Sequence, residues 1–211
     1  MHLRDMRRNI WRGLLTATDQ EIHEGMHFYE GAYGLCKMLA MIYNKSVSTI
    51  AGIYAALSPM NTWDTNVSNI IDVLRWSTVT PPASLEALKV NTTHKNRDKA
   101  ILIARGEDPL YVLGKGPKVR AFYQAINTPD DRSHYPIDRH LINLALGTKI
   151  TNNIELRSVV TREYSRVEKV YRELGDREKL GNRLTSIAWF VQRRSGLLCL
   201  RQDKEQTTIH Q

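Results

Sequence analysis

Apolar residues recur at spacings of three and four along most of the chain, between short polar or Gly/Pro breaks, and this period predicts helices. In the first half it predicts helices over Leu3–Leu15, Gly31–Tyr43, Thr49–Leu57, Thr65–Trp76 and Lys99–Ala104. Further on it predicts Lys118–Ile126, Arg139–Leu146, Ile154–Leu174 and Leu180–Arg193, broken at Thr128–Asp131, Gly147–Thr148 and Gly175–Asp176. No run shows the strict alternation of a half-buried strand, so the expected fold class is all-α. Pro81–Pro82 marks a loop, no Ser/Gly-rich linker divides the chain, and no internal repeat is apparent. The polar stretch Arg201–Gln211 reads as a frayed end.

With 211 residues, 42% of them hydrophobic, the chain can fill the core of one large domain or of two interleaved lobes. Its 30 Lys+Arg against 22 Asp+Glu leave a net charge of +8, which favours a polyanionic partner but does not by itself establish nucleic-acid binding. No apolar run approaches the roughly 20 residues of a membrane span, and Met1–Arg8 lacks the apolar stretch of a secretory signal. The expectation is a soluble, cytoplasmic protein with no membrane partner. Cys36 and Cys199 are too few for a four-thiolate zinc site or an iron–sulfur cluster and read as small buried hydrophobes in a reducing compartment, so neither metal nor cofactor is expected.

Candidate chemistry begins at Val112-Leu113-Gly114-Lys115-Gly116-Pro117-Lys118-Val119-Arg120. A G-x-G turn between helices gives the backbone access to positive φ, and without side chains at Gly114 and Gly116 the amides can approach a phosphate at the N-terminus of the next helix. Pro117 suits a first helical turn. Any helix–helix turn can hold two glycines, so the motif alone is weak. Downstream, Tyr135-Pro136-Ile137-Asp138-Arg139-His140 brings an apolar approach to an acid that opens a helix. The plain role of Asp138 is an N-cap, which is compatible with catalysis because a helix N-terminus favours negative charge.

These two segments together resemble the helix-hairpin-helix DNA glycosylase superfamily, which includes endonuclease III and the oxoguanine glycosylases. In that family a G-x-G-x-K hairpin carries a nucleophilic lysine, and an aspartate in a D-x-H or D-x-N context follows about twenty residues later. Lys118 falls on the first position, and Asp138 with His140 falls on the second, 20 residues on. Leu57-Ser58-Pro59-Met60-Asn61-Thr62 resembles the loop that meets DNA opposite the flipped base, and Asn96-Arg97-Asp98-Lys99-Ala100-Ile101 the basic helix before the hairpin. The likeness runs from about Thr49 to Gly147. It departs at Lys115, where the family has a small apolar residue, at Pro59 and Met60, where it has glutamines, and at Arg139, where threonine is frequent.

The resemblance implies a two-lobed, cluster-free helix-hairpin-helix fold with an active-site cleft between the lobes. One lobe would span 46–134 and the other 1–45 plus 135–211. The implied partner is double-stranded DNA holding a damaged or modified base, bound by a monomer that is nucleoid-associated, or in host cytoplasm if viral. Asp138 would stabilise positive charge on the sugar, and Lys118, once it has given up a proton, would attack C1′ and form a Schiff base leading to strand cleavage. If Lys118 is instead a phosphate contact, Asp138 would orient a water. DNA contacts would come from Gly114, Lys115, Gly116, Arg120, Arg139, His140 and Asn61, with solvated surface charge as the plain alternative for the cations. Trp63 and Tyr123, and behind them Tyr29 and Tyr33, are candidate walls of a base pocket, although helical aromatics usually pack inward.

His23-Glu24-Gly25-Met26-His27 matches H-E-x-x-H, the zinc hydrolase signature. Gly25 weakens such a helix by about 1 kcal/mol relative to Ala, and nothing nearby supplies a third ligand, so zinc catalysis is set aside. Two other rivals remain open: a non-catalytic helix-hairpin-helix module that holds DNA for a partner, and a phage-type enzyme acting on hypermodified bases.

Overall fold

The computed structural model describes residues 1–59, 61–79, 88–148 and 153–194, with backbone alone over 153–159. Met60, the Pro81–Pro82 loop, Cys199 and the Arg201–Gln211 stretch lie outside them. The described residues form helices and connecting turns with no strand among them. No helix there is long and apolar enough to cross a membrane. In chain order the helices are α1 (Leu3–Leu14), α2 (Asp19–Tyr43), α3 (Val47–Leu57), α4 (Trp63–Thr78) and α5 (His94–Ala104). They continue with α6 (Pro109–Leu113), α7 (Pro117–Asn127), α8 (Arg139–Leu146), α9 (Asn153–Arg177) and a helical stretch over 183–194, here α10.

The chain groups into two compact units, one made of Met1–Phe28 with Ile137–Gln211 and the other of Tyr29–Pro136. In the first, α1 buries Met6 and Ile10 against α8 and α9, and Asn9 Nδ2 donates to the Ala145 carbonyl at 3.1 Å. Gly147, at φ +64°, closes α8 in the left-handed conformation that favours glycine. α2 begins earlier than its apolar period predicts, because Thr18 and Glu21 form a reciprocal cap. Glu21 N donates to Thr18 Oγ1 at 3.2 Å and Thr18 N to Glu21 Oε2 at 2.9 Å, satisfying two amides at the helix start.

The second unit is built around α3, in which every residue from Ile50 to Leu57 is buried. Ser46 caps it by accepting from Thr49 N, and α4, α5, α6 and α7 all pack on it. The close approach needs a glycine: a Cβ on Gly52 would stand 2.7 Å from Pro109 Cβ. Tyr54 stacks on Phe122 with centroids 5.7 Å apart. From α2, Ala32, Cys36 and Leu39 enter the same core, and burial pushes the Cys36 thiol up to about 12. A thiol so placed is a packing group rather than a nucleophile.

Candidate functional site

The G-x-G segment joins two helices. α6 is a single short turn started by Asp108, whose carboxylate accepts from Tyr111 N at 2.8 Å, and α7 begins at Pro117 with Gly116 as its N-cap. The two glycines differ. Gly114 sits at φ +75°, ψ −158°, a region held almost only by glycine, whereas Gly116 sits at φ −64°, ψ 114°, which any residue adopts. A Cβ on either would meet nothing within 4 Å, so the face of the turn lies open. No side chain caps the start of α7, which leaves its first amides available to an acceptor from outside.

Two cations hold the turn from within. Arg120 Nη1 donates to the carbonyls of Leu110 at 2.9 Å and Gly114 at 3.2 Å, while Lys99 Nζ, from α5, donates to Leu113 O at 2.8 Å. These are carbonyls at the end of α6, which its short ladder leaves unpaired. Desolvation, with some repulsion from Lys95, lowers the Lys99 ammonium below the ordinary lysine range. Sequence reasoning offered Arg120 as a phosphate contact and placed Lys99 only within the basic helix before the hairpin; a bond spanning 14 residues leaves no local signal. Lys115 is exposed, Lys118 is half-buried in the first turn of α7, and neither makes a hydrogen bond or ion pair among the described residues.

Asp138 belongs to the other unit. Its Oδ1 accepts from His140 N at 2.8 Å and Leu141 N at 3.1 Å, so it caps α8, and Oδ2 has no protein partner among the described residues. Two phenols stand behind it. Tyr164 Oη accepts from Ile137 N at 3.5 Å, and Tyr171 Oη donates to Leu141 O at 3.3 Å. Burial is the main reason that both phenols ionise well above the ordinary tyrosine range, Tyr164 at about 12, and the negative charge of Asp138 adds to it. They are therefore fixed neutral dipoles. Arg139 is exposed beside the cap and His140 half-buried. The apolar approach Tyr135–Ile137 is buried, which seats Asp138 at the edge of a core.

The remaining candidates are packing groups to differing degrees. Asn61 Nδ2 donates to Leu57 O at 2.8 Å, closing the end of α3. Trp63 is 37% exposed and meets Tyr54 edge-on at 5.6 Å. Tyr123 is buried with its phenol 2.7 Å from Ser48 Oγ, and Tyr29 is buried too, while Tyr33 lies half-buried with Lys37 Nζ 5.8 Å from its ring centroid. His23 and His27 stand one turn apart on α2 with ring centroids 4.8 Å apart. Among the described residues no group of three or more His, Cys, Asp or Glu is placed to hold a metal ion.

Neither a curated protein nor a solved structure matches the chain. A family model described as "Family of unknown function (DUF7178)" matches residues 1–196, and the chain belongs to that family.

Proposed function

We propose that this chain is a DNA N-glycosylase, with Asp138 and Lys118 as its reacting groups. The observation that carries the reading is the helix–turn–helix over Pro109–Asn127, which presents two uncapped amides and an unpartnered Lys118 amine beside an open Gly-Lys-Gly turn. Such a turn suits a sugar-phosphate strand: amides and helix dipole attract a phosphate, and the missing side chains let the strand come close. The net charge of +8 acts in the same direction at longer range.

Breaking the N-glycosidic bond moves the bonding pair onto the base and leaves positive charge on the sugar. The role assigned to Asp138 is to stabilise that charge through Oδ2 while Oδ1 stays committed to the cap. A carboxylate pre-fixed in this way needs little reorganisation at the moment of reaction. Lys118, after losing a proton, forms a new bond from Nζ to C1′ as the base departs and takes up a proton. The C1′–O4′ bond of that adduct then breaks, its electron pair going to O4′, which takes up a proton as the ring opens and the nitrogen lone pair forms an iminium; borohydride reduces the iminium, which makes the step testable.

Borohydride trapping on duplexes with abasic, damaged and naturally modified sites is the decisive measurement. A covalent adduct that Lys118→Gln abolishes supports the lyase chemistry. Base release that survives Lys118→Gln but falls at least about a hundredfold in Asp138→Asn supports a monofunctional enzyme using water. Duplex binding with no release of any base would replace the proposal with a module that only holds DNA.

A further inference from the structure

We propose that His23 and His27 form a two-histidine site for a divalent late first-row transition ion, the class of Zn(II), Ni(II) and Cu(II). The two stand four residues apart on α2, which places both on one face of the helix. Both are exposed, and neither imidazole has a hydrogen-bond or ion-pair partner among the described residues. Gly25, between them, is buried and packs on Ile187, which pins this turn and keeps its histidine side outward.

The ring spacing fits a chelate. Zinc bonds an imidazole nitrogen at about 2.0–2.1 Å and the ring centre lies about 1.1 Å beyond, so two rings sharing an ion have centroids about 4.5 Å apart at a right angle and about 5.2 Å at the tetrahedral angle. The centroids of His23 and His27 are 4.8 Å apart, with the planes tilted by 58°. Turning an exposed ring about its Cβ–Cγ bond, a broad torsion, re-aims a nitrogen and leaves the centroid nearly in place. The local charge also favours a cation. Asp19–His27 carries Asp19, Glu21 and Glu24 and no Lys or Arg, in a chain whose net charge is +8. Arg194 Nη1 offsets Glu21 at 3.1 Å, whereas Glu24 accepts only from the neutral Gln20 Nε2, at 2.8 Å, and keeps its charge beside both rings. No third His, Cys, Asp or Glu among the described residues is placed to join the pair, so water or an anion from solution fills the remaining coordination positions. With two protein donors this is an open binding site, not the zinc hydrolase of the H-E-x-x-H motif.

The site does not rest on the glycosylase reading, since it uses neither the hairpin nor Asp138. Zinc chloride titrated into the full chain, followed by NMR of the histidine ring protons, should shift His23 and His27 together along one saturable curve that EDTA reverses. The second imidazole binds within the same helix at high effective concentration, so His23→Asn and His27→Asn should each weaken zinc binding at the remaining ring by roughly tenfold or more. Both positions are exposed, so the metal-free thermal midpoint should stay put in either variant, which shows that the fold persists. Zinc should raise the midpoint of the unmodified chain more than that of either variant. Rings that titrate along separate curves, a variant whose remaining ring keeps the full affinity, or other histidines of the chain that bind zinc as tightly would each overturn the proposal.

Discussion

Ile187 lies so close to Gly25 that a Cβ built on the glycine would stand 2.6 Å from the isoleucine backbone nitrogen and 2.7 Å from its Cα. The first unit is thereby packed backbone to backbone where α2 meets α10. Helix propensity favours Gly25→Ala by about 1 kcal/mol, but overpacking against immovable main chain costs more, typically about 1–3 kcal/mol. Gly25→Ala should therefore lower the urea midpoint, and a rise in that midpoint would show that the contact is looser than described.

The hairpin glycines should separate folding from binding. Gly114→Ala forces an alanine into a conformation worth about 1–3 kcal/mol of strain and should destabilise the protein. Gly116→Ala places a methyl in open space at an ordinary φ, so its stability should change by only a few tenths of a kcal/mol. Under the proposed function the same methyl obstructs the strand, and duplex affinity measured by fluorescence anisotropy should fall while the melting curve stays put.

At Asp138 the cap and the charge can be separated. Asn caps a helix about as well as Asp, so Asp138→Asn should keep stability close to that of the unmodified chain, whereas Asp138→Ala should lose about 0.5–2 kcal/mol. Base release, if the proposal holds, should collapse in both. An Asn variant that folds and still excises at full rate would falsify the assigned role.

Acid should act through Glu163, which is 5% exposed and bonded by Arg162 Nε at 2.9 Å and Arg166 Nη1 at 2.6 Å. Burial alone would raise this carboxyl, yet the two guanidinium groups outweigh it and hold it below the ordinary glutamate range. A depressed carboxyl contributes stability that is fully present above its unfolded value of about 4.3 and is lost as pH falls through the folded one. The urea midpoint of the unmodified chain should drop across that window. In Glu163→Gln it should be lower at neutral pH and flatter below pH 4.

Much of this architecture was legible in the chain. The period of apolar residues located α3, α4, α7 and α8 to within a few residues, and Asp138 was readable as a cap because it stands one residue before an apolar helical run. The start of α2 was missed because Gly25, Gly31 and Gly34 look like helix breakers, although the Thr18-Asp19-Gln20-Glu21 capping signal was present. What makes Gly25 tolerable is Ile187, far away in sequence. α6 was missed for want of length, since a five-residue helix has no period to read. The candidate residues were visible only as types in order. Which cations face outward and which are turned inward, as Arg120 and Lys99 are, depends on bonds that no spacing rule encodes.

Those inward-turned cations change how any salt titration should be interpreted. A count of Lys and Arg near the hairpin suggests many phosphates neutralised and a steep fall of affinity with ionic strength, at about −0.9 per phosphate contact on B-DNA. Under the proposed function, Arg120 Nη1 and Lys99 Nζ already donate to the chain's own carbonyls and are turned away from an approaching strand, so the slope should be shallower than the local sequence advertises.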